Sequence, residues 1–248
     1  TVEDPYQVAT PEQLSNVKYV LDKHFVQIAE IDLDVAPWNQ DEGWIALGTI
    51  DQGNRFTGSY DGNGFSISNL YLNNFNQNQG LFGYVDQATL KNIRLKNVNI
   101  TADQYVGSLV GYQYNTKIEN CSATGTVSGR ARDTGGLIGR ALSTEIDLGH
   151  IFNCFAEVEV HNNNSFAGGL VGRCDSTTIN ECWASGNVNG VQFVGGLTGY
   201  SSSLISRSFA TGSVKATSSI SGGLAAELST DGEIINCYAT GDLQGGSF

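Results

Sequence analysis

The chain has 248 residues, 40 % of them hydrophobic, which is enough to fill a core, and it carries 31 glycines against 3 prolines and no methionine. Only 15 % of its residues are charged and the formal net charge is −12, a balance that repels nucleic acid and anionic membrane surfaces. No apolar stretch approaches the roughly 20 residues that span a bilayer, and Thr1 opens the chain with no basic or apolar leader region.

In chain order, Thr10-Pro11-Glu12-Gln13 forms a capping box with proline at the first helical position, and Leu14, Val17, Val20 and Leu21 follow at helical spacing. A short amphipathic helix is expected there, covering one end of the core. Phe25 to Leu33 reads as a strand, and Phe56 to Ile67 as a strand, an Asp61-Gly62-Asn63-Gly64 turn and a second strand. Residues 1–55 are therefore expected to cap a repetitive region, 56–248, within one continuous domain.

The repeats carry the fold. Gly80-Leu81-Phe82-Gly83 and Gly107-Ser108-Leu109-Val110-Gly111 open a series continued by Gly135-Gly136-Leu137-Ile138-Gly139, Gly168-Gly169-Leu170-Val171-Gly172, Gly195-Gly196-Leu197-Thr198-Gly199 and Gly222-Gly223-Leu224-Ala225-Ala226. The leucines stand 28, 28, 33, 27 and 27 residues apart. A second ladder keeps step with the first: Ile118, Ile151, Ile179, Ile205 and Ile234 each precede by three residues Cys121, Cys154, Cys182, Ser208 and Cys237, and an alanine follows two residues later in every case. Residues two apart on a strand share a face, so the cysteine and alanine columns point into one core. The isoleucine lies at an odd offset, so the chain turns a corner between it and the cysteine, where Asn120, Asn153 and Asn236 tolerate left-handed backbone. Short strands, regular bends and a period of about 27 residues predict an all-β, parallel, right-handed, three-sided β-helix. About seven coils at the usual strand spacing would make a rod of roughly 35 Å. The final glycine of the repeat is lost at Ala226, so distortion of that coil is expected, and the sequence stops partway into another coil, as expected of a segment of a longer protein.

These GG-L-x-G strings resemble the GLUG-motif repeats, and the run from Glu12-Gln13-Leu14 through Ile31-Asp32-Leu33 and Trp44 to Asp61-Gly62-Asn63-Gly64 resembles the opening of such β-helices. The resemblance implies export and surface interaction, with the protein secreted or attached to the cell surface. GLUG modules occur in large bacterial adhesins and in the non-catalytic part of IgA-cleaving metalloproteases, and no catalytic residues carry over from them.

The motifs of common catalytic folds are absent. Cys121, Cys154, Cys182 and Cys237 repeat one rung position and read as stacked core thiols, with disulfides between neighbouring coils as the lesser alternative, since Cys174 makes the number odd, and without the close spacing of a zinc site. Two features stand above the scaffold. The residue between cysteine and alanine points outward, giving an aromatic stripe of Phe155, Trp183, Phe209 and Tyr238, a platform for a glycan or for a protein of a host or neighbouring cell. The alternative is strand propensity with self-stacking, or cover by a flanking segment. The gap from the closing glycine to the next isoleucine is seven residues after Gly111 and Gly172 but twelve after Gly139. Within that insertion Glu145, Asp147 and His150 would be the residues of a cation or catalytic site, with a plain surface bulge as the alternative. No cofactor is expected, and the Asp61 turn is the one place weighed for calcium. The reading favours an extracellular binding or adhesion module. The rivals are a polysaccharide-active enzyme with carboxylates gathered in a groove and a passive spacer.

Overall fold

The computed structural model describes residues 1–144 and 149–245. They form a parallel β-solenoid, and one coil serves for all. Lys117–Glu119 lies in a first sheet, Ser122–Gly129 in a second, Thr134–Gly135 in a third and Ile138–Leu142 in a fourth. Each strand pairs in parallel with its counterpart one coil on, so Ile118 faces Ile151, Ala123 faces Ala156, Gly135 faces Gly168 and Ile138 faces Val171. The third and fourth sheets hold six strands each. The rod therefore has six full turns, one fewer than the spacing suggests, or about 29 Å of stacking. Four sheets stand where the period predicts three sides, because the Gly-Gly bend divides one side into two short sheets.

That bend explains the repeat. A Cβ at Gly135 would collide with the carbonyl of Ile138, one at Gly136 with the carbonyl of Gly169 in the next coil, and one at Gly139 with the amide nitrogen of Val106 in the preceding coil. Three backbone segments meet here, leaving no room for a Cβ at Gly135, Gly136 or Gly139. Ala226 replaces the closing glycine, yet its coil keeps register, with Ala225 opposite Thr198 and Glu227 opposite Tyr200.

The opposite corner is built from polar columns. Asn92, Asn120, Asn153, Glu181, Arg207 and Asn236 all hold φ between 47° and 56°, so the left-handed turn persists even where asparagine is replaced. The amides bond along the rod: Asn153 Nδ2 donates to Asn120 Oδ1 at 2.8 Å, Asn120 Nδ2 to Asn92 Oδ1 at 3.1 Å, and Asn92 Nδ2 to Asp61 Oδ1 at 2.9 Å. Just inside, the backbone amide of Cys121 donates to the sulfur of Cys154 and that of Cys154 to the sulfur of Cys182, both at 3.4 Å. Ser208 and Cys237 extend the column. All five cysteines are free and the first four are buried. Burial pushes the thiols of Cys154 and Cys182 well above their ordinary range and that of Cys174 to about 12.

At the N-terminus the expected helix spans Pro11–Asn16 and continues as a 3-10 turn, Val17–Tyr19. Thr10 Oγ1 accepts from the Gln13 amide at 3.3 Å, while Gln13 Oε1 accepts from the Ala9 amide at 2.7 Å. Leu14 and Val17 are buried in the common core. The expected strand over Phe25–Leu33 is two strands, His24–Gln27 and Ile31–Asp32. They belong to the first and second sheets, so the chain rounds a corner between them and leaves Ile28 exposed. The two strands flanking the Asp61 turn, Ser59–Asp61 and Ser66–Ser68, are likewise in different sheets. Trp44, Leu47 and Phe56 are fully buried against the first coil, and the Trp44 indole donates to the Leu81 carbonyl at 3.0 Å.

A single added methyl tests the bend. Gly139→Ala is expected to cost more than about 4 kcal/mol or to abolish folding. Gly53→Ala, with φ +97° and open space around it, should cost about 1 to 2 kcal/mol. Urea unfolding followed by circular dichroism separates the two, and equal costs would refute the close-contact account.

Candidate binding surfaces

The Cys corner fixes the aromatic stripe. The amides of Phe155, Trp183 and Phe209 donate to the carbonyls of Cys121, Cys154 and Cys182 at 3.0, 3.1 and 3.0 Å, so each ring leaves the sheet from an equivalent position one coil above the last. Pairing places Ser122, Phe155, Trp183, Phe209 and Tyr238 in one column. Successive ring centroids are 4.3, 5.8 and 5.0 Å apart and their planes agree within 3°. The rings therefore stack along the rod with their faces turned on one another and their edges outward. Phe155, Trp183 and Phe209 are half-buried, and Tyr238 is 55 % exposed. The stripe is a continuous apolar ridge, and its edge-on rings do not lie flat for a sugar.

Of the insertion residues, Glu145 and Asp147 lie outside the described residues. His150 begins the strand His150–Phe152 and its Nε2 stands 2.6 Å from Glu119 Oε1 on the coil before, an arrangement that aligns two neighbouring strands of the first sheet. The carboxylate of Asp61 accepts from the Asn63 amide at 2.8 Å and from Asn92, and it pairs with Lys91 at 3.2 Å. Among the described residues no group of His, Cys, Asp and Glu has metal-binding geometry, and no helix is long and apolar enough to cross a membrane. Clefts of about 440 and 410 Å³ both lie against the N-terminal cap, away from the stripe.

A second surface is not apparent from the sequence pattern. The residue after each closing glycine points outward from the fourth sheet, stacking Tyr84, Tyr112, Arg140, Arg173 and Tyr200 coil by coil. Side chains of the third sheet lean over them: Tyr105 meets Tyr112 edge to face at 5.4 Å, and Phe166 meets Tyr200 at 5.7 Å. Arg140 and Arg173 both donate to Asp175 at 3.0 Å. Asp133 faces Arg140 at 3.8 Å, but its side chain is only 4 % exposed. Its Oδ2 and the Nε of Arg140 have no hydrogen-bond partner. Two carboxylates thus converge on Arg140, and the one at Asp133 is turned away from solvent. The signal that could have found this surface is an aromatic or arginine one residue past each closing glycine.

Burial pushes the Asp133 carboxyl up to about 6, with Arg140 and Arg173 opposing only in part. An acid that holds its proton more tightly when folded than in the unfolded chain, where its ordinary value is 3.8, favours folding at low pH. Its contribution then declines as pH rises from about 4 to about 6. Relative to Asp133→Asn, the wild-type protein should lose about 2 to 3 kcal/mol of unfolding free energy across that interval. Urea titrations at a series of pH values measure it, and parallel profiles for the two proteins would show that Asp133 does not titrate there.

Residues 102–128 and 217–244 match the model of the GLUG motif. Over 147 residues, 56 % of the chain, the sequence is 33 % identical to halomucin of Haloquadratum walsbyi, the match covering 2 % of that protein. Over 198 residues, 76 % of the chain, it is 30 % identical to an immunoglobulin A1 protease of Streptococcus pneumoniae, covering 8 % of it. The chain therefore spans a small fraction of these relatives. A crystal structure from Bacteroides ovatus, of a chain named as a candidate immunoglobulin A1 protease, superposes with a TM-score of 0.83 at 23 % identity, covering 99 % of this chain and 78 % of that one. That likeness is one of fold.

Proposed function

We propose that this GLUG-repeat solenoid is a non-enzymatic module of a larger extracellular or cell-surface protein, and that it recognises a partner through the ridge of Phe155, Trp183, Phe209 and Tyr238. The observation that carries the reading is the ridge itself: four rings in register, half-buried to exposed, on the outer face of the longest sheet. Contiguous apolar surface of this kind marks interaction sites on soluble proteins. Because the ring faces are occupied by one another, the ridge suits the apolar surface of a protein better than a stacked sugar. Surface localisation draws support from the relatives, since halomucin is by name a mucin and an immunoglobulin A1 protease acts on an antibody, a protein found outside cells. The non-catalytic reading is supported by the GLUG-motif match, whose recurring residues here are bend glycines and buried core positions.

The test pairs the wild-type chain with a variant carrying Phe155→Ser, Trp183→Ser, Phe209→Ser and Tyr238→Ser, both checked by circular dichroism, and with Trp183→Ser alone in case the fourfold variant is unstable. Each is passed over immobilised immunoglobulin A1 and over a glycan array. Loss of a buried aromatic anchor costs about 2 kcal/mol or more, so protein binding should fall roughly thirtyfold or more in the folded variants. Binding that survives moves the site off the ridge, and absence of binding by every protein favours a spacer.

A further inference from the structure

Arginine is unevenly placed on this acidic chain. Of its seven arginines, Arg94 and Arg207 stand elsewhere, while Arg55, Arg130, Arg132, Arg140 and Arg173 gather along the wall formed by the third and fourth sheets and the corner that leads into it. Four of the five are set against an aromatic ring, and the fifth bonds a tyrosine hydroxyl. The guanidinium of Arg55 lies 4.9 Å from the Tyr84 ring, that of Arg130 3.9 Å from Phe75, that of Arg140 5.7 Å from Tyr112, and that of Arg173 4.5 Å from Tyr200. Arg132 Nη1 donates to the Tyr105 hydroxyl at 3.0 Å. The contacts are continuous, since Tyr105 and Tyr84 both meet Tyr112 and Arg140 and Arg173 share Asp175.

Charge divides this wall in two. Arg55, Arg140 and Arg173 are paired with Asp86 and Asp175 at 2.8 to 3.0 Å, which holds them as a rigid frame. Arg130 and Arg132 have no carboxylate within 4.0 Å among the described residues, and Arg132 is exposed. Arg132 therefore stands unneutralised beside the Tyr105 hydroxyl, and Arg130, whose Nη1 donates to the Asn74 carbonyl at 2.7 Å, stands unneutralised against Phe75, on a molecule of formal charge −12. Planar guanidinium forks match carboxylates in a bidentate manner, and tyrosine offers both apolar ring and hydroxyl to a sugar. An extended peptide can bind by adding a strand to an open sheet edge, and acidic motifs are also read by arginine clusters. Strands of the interior coils are paired on both sides, so the wall has no such edge and must recognise its ligand through side chains.

We propose that this wall binds a carboxylate-bearing glycan, with Arg132 and the remaining donors of Arg130 taking the acid groups and Tyr105 lying against a sugar ring. The site is separate from the aromatic ridge on the second sheet, so the two can fail independently.

The probe is a panel of uronate- and sialate-bearing oligosaccharides, each beside its carboxyl-reduced counterpart, with hexaglutamate as the peptide control. Binding is measured calorimetrically on the full chain, on Arg130→Ala with Arg132→Ala, on Arg132→Lys, and on Trp183→Ser. Acidic oligosaccharides should bind, and reduction of the carboxyl or removal of the two guanidiniums should each weaken binding about tenfold or more. Arg132→Lys should recover part of the loss, Trp183→Ser should leave binding unchanged, and added salt should weaken it. Equal affinity for the reduced sugars, unchanged binding by the double variant, binding of hexaglutamate at matching affinity, or no binding to any acidic sugar would each overturn the proposal.

Discussion

Backbone meets backbone at every Gly-Gly bend with no Cβ between, and the geometry of the solenoid depends on that contact. Because Gly135, Gly136 and Gly139 face carbonyl and amide atoms of the same coil and of both neighbours, the third and fourth sheets close to a tight angle. Their outward side chains are thereby brought together, which is why Tyr105 meets Tyr112 and Phe166 meets Tyr200. The wall of arginines and rings is thus a product of the glycine repeat. Nothing in the outward residues alone would have produced it.

The other corner solves a polar problem. A left-handed turn exposes a side chain that must bond to something, and asparagines in register bond to each other along the rod. Where the asparagine is lost, Glu181 and Arg207 keep the turn and pair at 3.0 Å. Each coil thus contacts chiefly its neighbours, as in other solenoids, and a five-residue insertion after Gly139 is accommodated without disturbing the next rung, in which Ile151 still faces Ile118.

Much of this was legible in the sequence because it repeats. The isoleucine, cysteine and alanine columns, the odd offset that demands a corner, the capping helix and the identity of the four ridge residues can all be derived from spacing. Ring orientation cannot, since it depends on side-chain torsions that the coil spacing selects; spacing leaves a platform and a self-stacked column both open, and the rings are self-stacked with their edges outward. Ile28 disguised the corner after Gln27, because an apolar residue there extends the appearance of one strand from Phe25 to Leu33. The arginine wall was hidden by variety: its column reads Tyr, Tyr, Arg, Arg, Tyr, and a search for identical residues passes over it.

The cysteine column has one more implication. Four of the five thiols are sealed in the core, each sulfur accepting an amide bond or donating to a carbonyl, and the column continues unbroken through Ser208. Sulfur is thus used here for its size and weak hydrogen bonding, and the chain is held together without cross-links. In an oxidising compartment the buried thiols meet an oxidant from solvent only after the coil opens. The oxidation state of Cys121, Cys154, Cys174 and Cys182 would then be a durable record, molecule by molecule, of whether the solenoid had ever come apart.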